Sequence, residues 1–232
     1  MAVTVNGSAT LSNLANGGTV GSGTPATSNY NCPAGTTTLV ILACANSAAP
    51  AVETAVSYNS VAATLVASSF QSNTGGDQTS IWYLNNPTTG SLLTFSLTWS
   101  QSVTGGGGAI LVPLSGTNTS GSTVGTVGKG TSNTAVTSGS LALAGATAND
   151  LAVGIICVDG GSGVPTVTDG QTNLINATSR GSIRMLGSDA AGTATGMTWS
   201  AFSIANLYTA SGVAFLGAAS VVSVPLLGQI LM

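Results

Sequence analysis

The 232-residue chain has no histidine, three cations and six carboxylates, so charged residues make up only 4% of it. An ordinary globular domain carries about 25%. The absence of histidine removes imidazole general acid–base catalysis and histidine metal ligation together. Serines are abundant, but with neither a histidine nor a buried lysine to deprotonate them they form no nucleophilic pair. With Lys129, Arg180 and Arg184 as the only cations, the chain lacks the basic footprint that neutralises phosphates, so no nucleic-acid partner is expected. No apolar run reaches ~18 residues, which argues against a membrane-spanning helix. Met1 to Gly7 has neither a basic region nor an apolar core, so no signal peptide is expected. The three cysteines, Cys32, Cys44 and Cys157, have no metal-type spacing. Cys44 and Cys157 each end an apolar run and read as buried free thiols.

What fills the chain instead is 43% hydrophobic residues and a remainder rich in Gly, Ser, Thr and Asn. A disordered chain has the opposite balance, poor in apolar residues and rich in charge. At 22.4 kDa, folding should bury roughly 70% of the unfolded surface, as one large β domain or two small ones. The surface must then consist of hydroxyl, amide and small apolar groups. Such a surface has little charge repulsion to oppose self-association, so the chain reads as one built to assemble.

The pattern is β throughout. Thr36 to Ala45 is an unbroken apolar run of strand length, as expected of a strand buried on both faces, and Ala109 to Leu114 is another. Thr79 to Asn85 reads as a strand that sends Ile81 and Tyr83 to one face and Trp82 and Leu84 to the other. Asn86-Pro87-Thr88-Thr89-Gly90 reads as a turn. Leu93, Phe95, Leu97 and Trp99 then alternate with Thr94, Ser96 and Thr98, the signature of a half-buried antiparallel strand. Gly105 to Gly108 reads as a flexible loop. No helical periodicity extends beyond a turn or two.

The order repeats in the second half. Asp150 to Cys157 matches Thr37 to Cys44, Ile183 to Leu186 stands for Ile81 to Leu84, and Met197-Thr198-Trp199-Ser200 stands for Leu97 to Ser100. A period of about 100 residues is too long for a solenoid. It fits a duplication, either as two stacked halves of one sandwich or as two small sandwiches. On this reading residues 1–28 are an N-terminal arm with one strand at Ala2 to Val5, and 29–217 the β-sandwich, with halves at 29–116 and 139–217 joined by a 117–138 linker whose alternation at Val124 and Val127 allows an extended crossing strand. Residues 218–232 form a C-terminal arm.

Val56-Ser57-Tyr58-Asn59, then Ile81-Trp82-Tyr83-Leu84-Asn85-Asn86-Pro87-Thr88-Thr89-Gly90, then Ala109 to Gly116 and Asn149 to Val153 together resemble the jelly-roll β-sandwich domains of bacteriophage virion proteins. The likeness spans roughly residues 36 to 217. It differs from that family at Ser60, where glycine is common, and at Thr79-Ser80-Ile81, where an arginine or glutamate is common. The resemblance implies an all-β, antiparallel jelly-roll-like sandwich with no catalytic motif. It implies a structural protein of the virion surface: a capsid decoration or cement protein, or a tail or fibre component. Such a protein is made in the host cytoplasm. Its expected partners are its own copies, with a trimer favoured, and other virion proteins such as the major capsid protein. Neither a membrane nor a cofactor is implied.

The remaining candidates are weighed on their residues. Asp159 and Asp169 flank Gly160-Gly161-Ser162-Gly163 and Pro165, a placement that suits turn residues. A glycosidase pair would need them across a cleft, and calcium would need further oxygen ligands; neither a catalytic nor a metal site is assigned. Trp82, Trp99 and Trp199 read as core anchors. Tyr30, Phe70, Phe202 and Tyr208 are the aromatics expected to be exposed for contact. In the C-terminal arm, Val221, Val222, Val224, Leu226, Leu227, Ile230 and Leu231 are uncharged and interrupted by Pro225 and Gly228, as expected of an extended segment laid on a neighbouring subunit. Two other functions remain open: a carbohydrate- or receptor-binding module, which would cluster exposed aromatics at one end, and a self-polymerising extracellular filament or surface-layer subunit, which would pair strand edges.

Overall fold

The computed structural model describes residues 1–15, 19–143, 147–159, 165–168, 170–180, 182–200, 202 and 206–218, without the side chains of residues 13, 15 and 176–180. All regular structure within them is β. In chain order the strands are β1 (Thr4–Val5), β2 (Thr10–Ala15), β3 (Ala26–Asn31), β4 (Thr38–Asn46), β5 (Glu53–Tyr58), β6 (Val61–Ala62), β7 (Thr64–Leu65), β8 (Gln71–Ser72), β9 (Asp77–Asn85) and β10 (Leu92–Trp99). There follow β11 (Gly106–Ser115), β12 (Val124–Val136), β13 (Gly139–Ala142), β14 (Leu151–Asp159), β15 (Thr166–Val167), β16 (Thr172–Arg180), β17 (Ile183–Ala191), β18 (Gly196–Ser200) and β19 (Asn206–Phe215).

The strands form four antiparallel sheets. One outer sheet is ordered β3-β10-β5-β6, and the inner sheet beneath it is β1-β11-β4-β9-β7, with β2 also on β11 and β8 on β9. A second inner sheet, β12-β19-β14-β17-β16, is covered by a second outer sheet, β13-β18-β15. Alternation along single strands shows how they stack. On β4, Leu39, Ile41 and Ala43 enter the core under the first outer sheet, while Val40, Leu42 and Cys44 enter a middle core. On β14, Val153, Ile155 and Cys157 meet that middle core from the other side, and Ala152, Ile156 and Val158 face the second outer sheet. The molecule is thus two sandwiches joined back to back, four layers around three cores. The inner strands β4, β11 and β14 read as largely apolar runs because each is buried on both faces. Each fully buried Leu, Ile or Val is worth about 1.5–3 kcal/mol.

Pro113 sits within β11 opposite Leu39, an unusual place for a residue without an N–H. Its carbonyl accepts from Asn6 N at 2.8 Å, so its missing donor also faces the edge shared by β1 and β2, where the ladder is interrupted.

The pairing scheme repeats. β2, β4 and β9 flank the first inner sheet's path around β11 as β12, β14 and β17 do around β19; β3 and β5 flank β10 as β13 and β15 flank β18. The duplication is therefore present, with boundaries that differ from the sequence reading. Each half begins with an edge strand: β2 lies within the expected N-terminal arm and β12 within the expected linker, and β3 too is a strand of the first outer sheet. In the arm, an edge strand of Gly, Ser, Thr and Asn buries too little to show a clear alternation, whereas in the linker the alternating Val124 and Val127 do lie on the extended strand β12. The Gly105–Gly108 run is corrected as well. Gly106, Gly107 and Gly108 begin β11 opposite Asn46, Ala45 and Cys44, and a side-chain carbon on Gly107 would stand 3.1 Å from the Cys44 carbonyl. Glycine here permits close approach of two strands.

The halves also meet through polar groups. Thr79 Oγ1 donates to Ser211 Oγ at 2.8 Å, and Ser211 Oγ donates to the Ser69 carbonyl at 2.6 Å, all buried. Met1 also reaches the segment after β19, its amino group donating to Ala218 O at 2.8 Å. Beyond Ala218 the assembly-arm residues Val221, Val222, Val224, Leu226, Leu227, Ile230 and Leu231 lie outside the described residues, as does Asp169.

Candidate interaction surfaces

The two outer sheets present opposite faces of the stack. On the first, Thr27, Asn29 and Asn31 of β3 lie beside Ser96, Thr94 and Leu92 of β10, with Ser57 of β5 across from Ser96. All are exposed or half-buried. On the second, Ser140 of β13 pairs with Thr198 of β18, and Thr166 of β15 with Ser200. Among the described residues neither outer face carries a charge; the one charged residue in either sheet, Glu53, points inward. Alternation explains the arrangement, since every second residue of β10 and β18 is claimed by a core and the others are Leu92, Thr94, Ser96 and Thr98 on β10 and Gly196, Thr198 and Ser200 on β18.

The carboxylates are mostly withdrawn. Glu53 is buried opposite Trp99, and Ser80 Oγ donates to its Oε2 at 2.8 Å. Burial pushes this acid above its ordinary range, against the opposing effect of a backbone hydrogen bond, the serine and the nearby indoles of Trp99 and Trp82. The Trp99 N–H is buried and closes no hydrogen bond of standard geometry. Asp77 is fully buried and also raised by burial, although Asn46 Nδ2 and Asn73 Nδ2 donate to its two oxygens at 2.9 and 3.0 Å. Asp150 goes the other way. Burial pushes it up, but the Thr147 and Gly217 N–H groups, at 2.6 and 2.8 Å, outweigh that and hold it below the usual carboxylate range.

Asp189 differs from these. It is half-buried on β17, opposite Thr172 of β16, at the floor of a cleft of about 290 Å³ between the N-terminal segment Val5–Ala9 and β16. Its Oδ1 is shielded from water and has no hydrogen-bond partner. Burial raises its pKa, opposed by a backbone hydrogen bond and one with Thr172. Nothing in the sequence marked this site, because its walls come from segments more than a hundred residues apart.

The long sheet edges carry most of the positive charge. β12 and β16 are the two edges of the second inner sheet, and both contain register shifts. Lys129 is exposed on β12, while Arg180 ends β16. Bulges and an edge lysine are devices that disfavour strand-to-strand pairing between chains.

Trp82, Trp99 and Trp199 are all buried. Tyr30, Phe202 and Tyr208, expected to be exposed, are buried as well, and Phe70 is half-buried. Tyr30 on β3 and Tyr208 on β19 occupy inward positions of their strands, and Phe202 packs in the same core as Tyr208, so all three fill space between sheets. The Tyr30 and Tyr58 rings meet edge-on at 6.0 Å, and Phe202 and Tyr208 pack at 6.3 Å. All three cysteines are buried and free. Cys44 and Cys157 approach each other across the middle core, where Cys44 Sγ lies 3.5 Å from Met185 Sδ. Contact with Cys44, together with burial, pushes the Cys157 thiol well above its ordinary value. Among the described residues no cluster of three or more acidic, cysteine or histidine side chains is placed to hold a metal ion. Among the described residues no helix is long and apolar enough to cross a membrane.

No protein-family model, curated protein or solved structure matches this chain.

Proposed function

We propose that this chain is a non-enzymatic structural protein of a virus-particle surface, a phage capsid decoration or cement protein or a tail or fibre component, acting through self-assembly and adhesion. The observation that carries this reading is the pair of uncharged outer faces. Hydroxyls and amides, with the exposed aliphatic side chains of Val61 and Leu92 on the first face, cover them, while the buried acids Glu53, Asp77 and Asp150 are turned inward. Such a plate binds by shape and hydrogen bonding over a broad area, with little desolvation of charge to offset.

Each half is read as a jelly roll. Support comes from the strand order, β2-β11-β4-β9 against β3-β10-β5-β6, in which first and last strands pair and hairpins alternate between sheets. The blunted edges β12 and β16 favour contacts through faces and side chains over the strand-edge pairing of a filament. The burial of Tyr30, Phe202 and Tyr208 removes the aromatic platform on which a carbohydrate-binding reading would rest.

Immunogold labelling of virus particles pelleted from the producing culture tests the proposal. Labelling at regular positions on the particle is expected. Particles that carry no label, with the chain found only in the soluble fraction, would overturn it.

A further inference from the structure

The Asp189 cleft has the chemistry of a socket. Its carboxyl lies at the floor, one oxygen shielded from water and unpartnered. Val5, Ala9 and Leu174 give its walls an apolar lining, with Ser8 and Thr172 adding hydroxyls. A half-buried carboxylate with one oxygen left without a donor is costly, and a cation delivered into the cleft on an apolar stem offsets its charge. The chain's own cations do not reach it. Arg180 and Arg184 belong to the opposite end of the β16–β17 hairpin, where Arg180 pairs with Ile183. Lys129 is on β12, the far edge of the same sheet.

That position suggests the occupant. Lys129 pairs with Ser211 on β19, and Ser211 points into the contact between the two inner sheets. Directly paired residues share a face, so the exposed Lys129 side chain leaves its edge at the level of the middle core. Asp189 also lies on the middle-core side of its sheet, on β17 next to the opposite edge strand β16, which carries Leu174. One flank of the molecule therefore offers an exposed lysine, and the other, at the same layer, a cleft ending in a carboxylate.

We propose that Lys129 of one copy inserts into the Asp189 cleft of the next, joining copies flank to flank. The contact uses two different patches, so it is head-to-tail and repeats until the rotation closes a ring. A trimer is the expected ring. The lysine that prevents backbone pairing along β12 thus becomes the connecting side chain, and both outer faces stay free for the particle. The inference rests on the self-assembly reading above and adds the residues that make the contact.

A double-mutant cycle on the full chain tests it. Sedimentation velocity and light scattering would compare wild type with K129Q, D189N, K129Q/D189N and the exchanged pair K129D/D189K, with circular dichroism to verify that each is folded. Each single variant should weaken association on the order of tenfold, the double variant no further, and the exchanged pair should recover most of the loss. Independent, additive effects overturn the contact while leaving assembly standing, as does an oligomer indifferent to both substitutions. An effect of D189N without one of K129Q also overturns it, because the socket then holds some other group. A wild-type chain that stays monomeric at every concentration overturns this contact and the self-assembly reading together.

Discussion

Trp99 and Trp199 hold the same place in the two halves: each is fully buried on the central strand of an outer sheet, β10 and β18. Each stands beside a serine that donates to a side-chain oxygen. Ser80 donates to Glu53 Oε2 at 2.8 Å in the first half, and Ser188 to Gln171 Oε1 at 2.9 Å in the second. The indole N–H of Trp199 donates to Ser188 Oγ at 3.1 Å, whereas in the first half it is Trp82 that donates to Ser80 Oγ, also at 3.1 Å. Replacing either Trp99 or Trp199 by alanine should cost about 3–5 kcal/mol, measured by denaturant unfolding. Similar losses in both variants are expected if the halves are energetic equivalents.

Glu53 stands where the second half uses an uncharged amide, and its raised pKa describes an acid that favours its proton. The folded value lies above the unfolded one. Its contribution to stability is therefore complete below the unfolded value of about 4.3 and is lost as pH rises through the folded value. Glu53→Gln should be more stable than wild type at neutral and alkaline pH and should flatten the profile there. Thermal midpoints across pH check this. A residual slope of the same sign is expected from Asp77, which is also raised.

Asp150 works in the opposite sense. Its carboxylate receives the Thr147 and Gly217 N–H groups and so ties the start of β14 to the end of β19. With a folded pKa below the unfolded one, it stabilises above about pH 4 and loses that contribution as pH falls through the folded value. Asp150→Asn should cost about 1–2 kcal/mol at neutral pH and nothing further in acid. Unfolding titrations at two pH values separate the two regimes.

Gly130 fixes how closely the second inner and outer sheets approach. A side-chain carbon there would stand 1.9 Å from the Ser140 carbonyl, where β12 passes β13. Because the obstacle is backbone, it has no rotamer through which to yield. Gly130→Ala should destabilise by about 1–3 kcal/mol, and calorimetry should show it. Gly170, with no atom near the added carbon, makes a poor control because its φ is +72°; Ser96→Ala on the outer face is the better one.

The sequence was most legible where burial is two-sided or strictly alternating. Thr36 to Ala45 and Asp150 to Cys157 gave themselves away by unbroken apolarity, and Leu93 to Trp99 by its period. The first strand of each half is faint in the sequence, β2 without a pattern of its own and β12 with only the alternation of Val124 and Val127, since both are edges built from small polar residues whose conformation is set by β11 and β19. The Asp189 cleft was hidden for another reason. Its walls meet only after the two halves stack, and no local pattern encodes that stacking. Glu53 left one faint signal, a lone acid at the start of an alternating strand in a chain nearly free of charge.

The central claim is that the uncharged outer faces are what the particle meets. The direct measurement is co-pelleting of the purified chain with virus particles, comparing wild type with Thr94→Glu on the first outer face and Ser140→Glu on the second. Wild type should pellet with the particles, and at least one charged variant should fall by about tenfold in bound fraction while remaining folded. Equal pelleting of wild type and both variants, or a wild-type chain that stays in the supernatant, would contradict it.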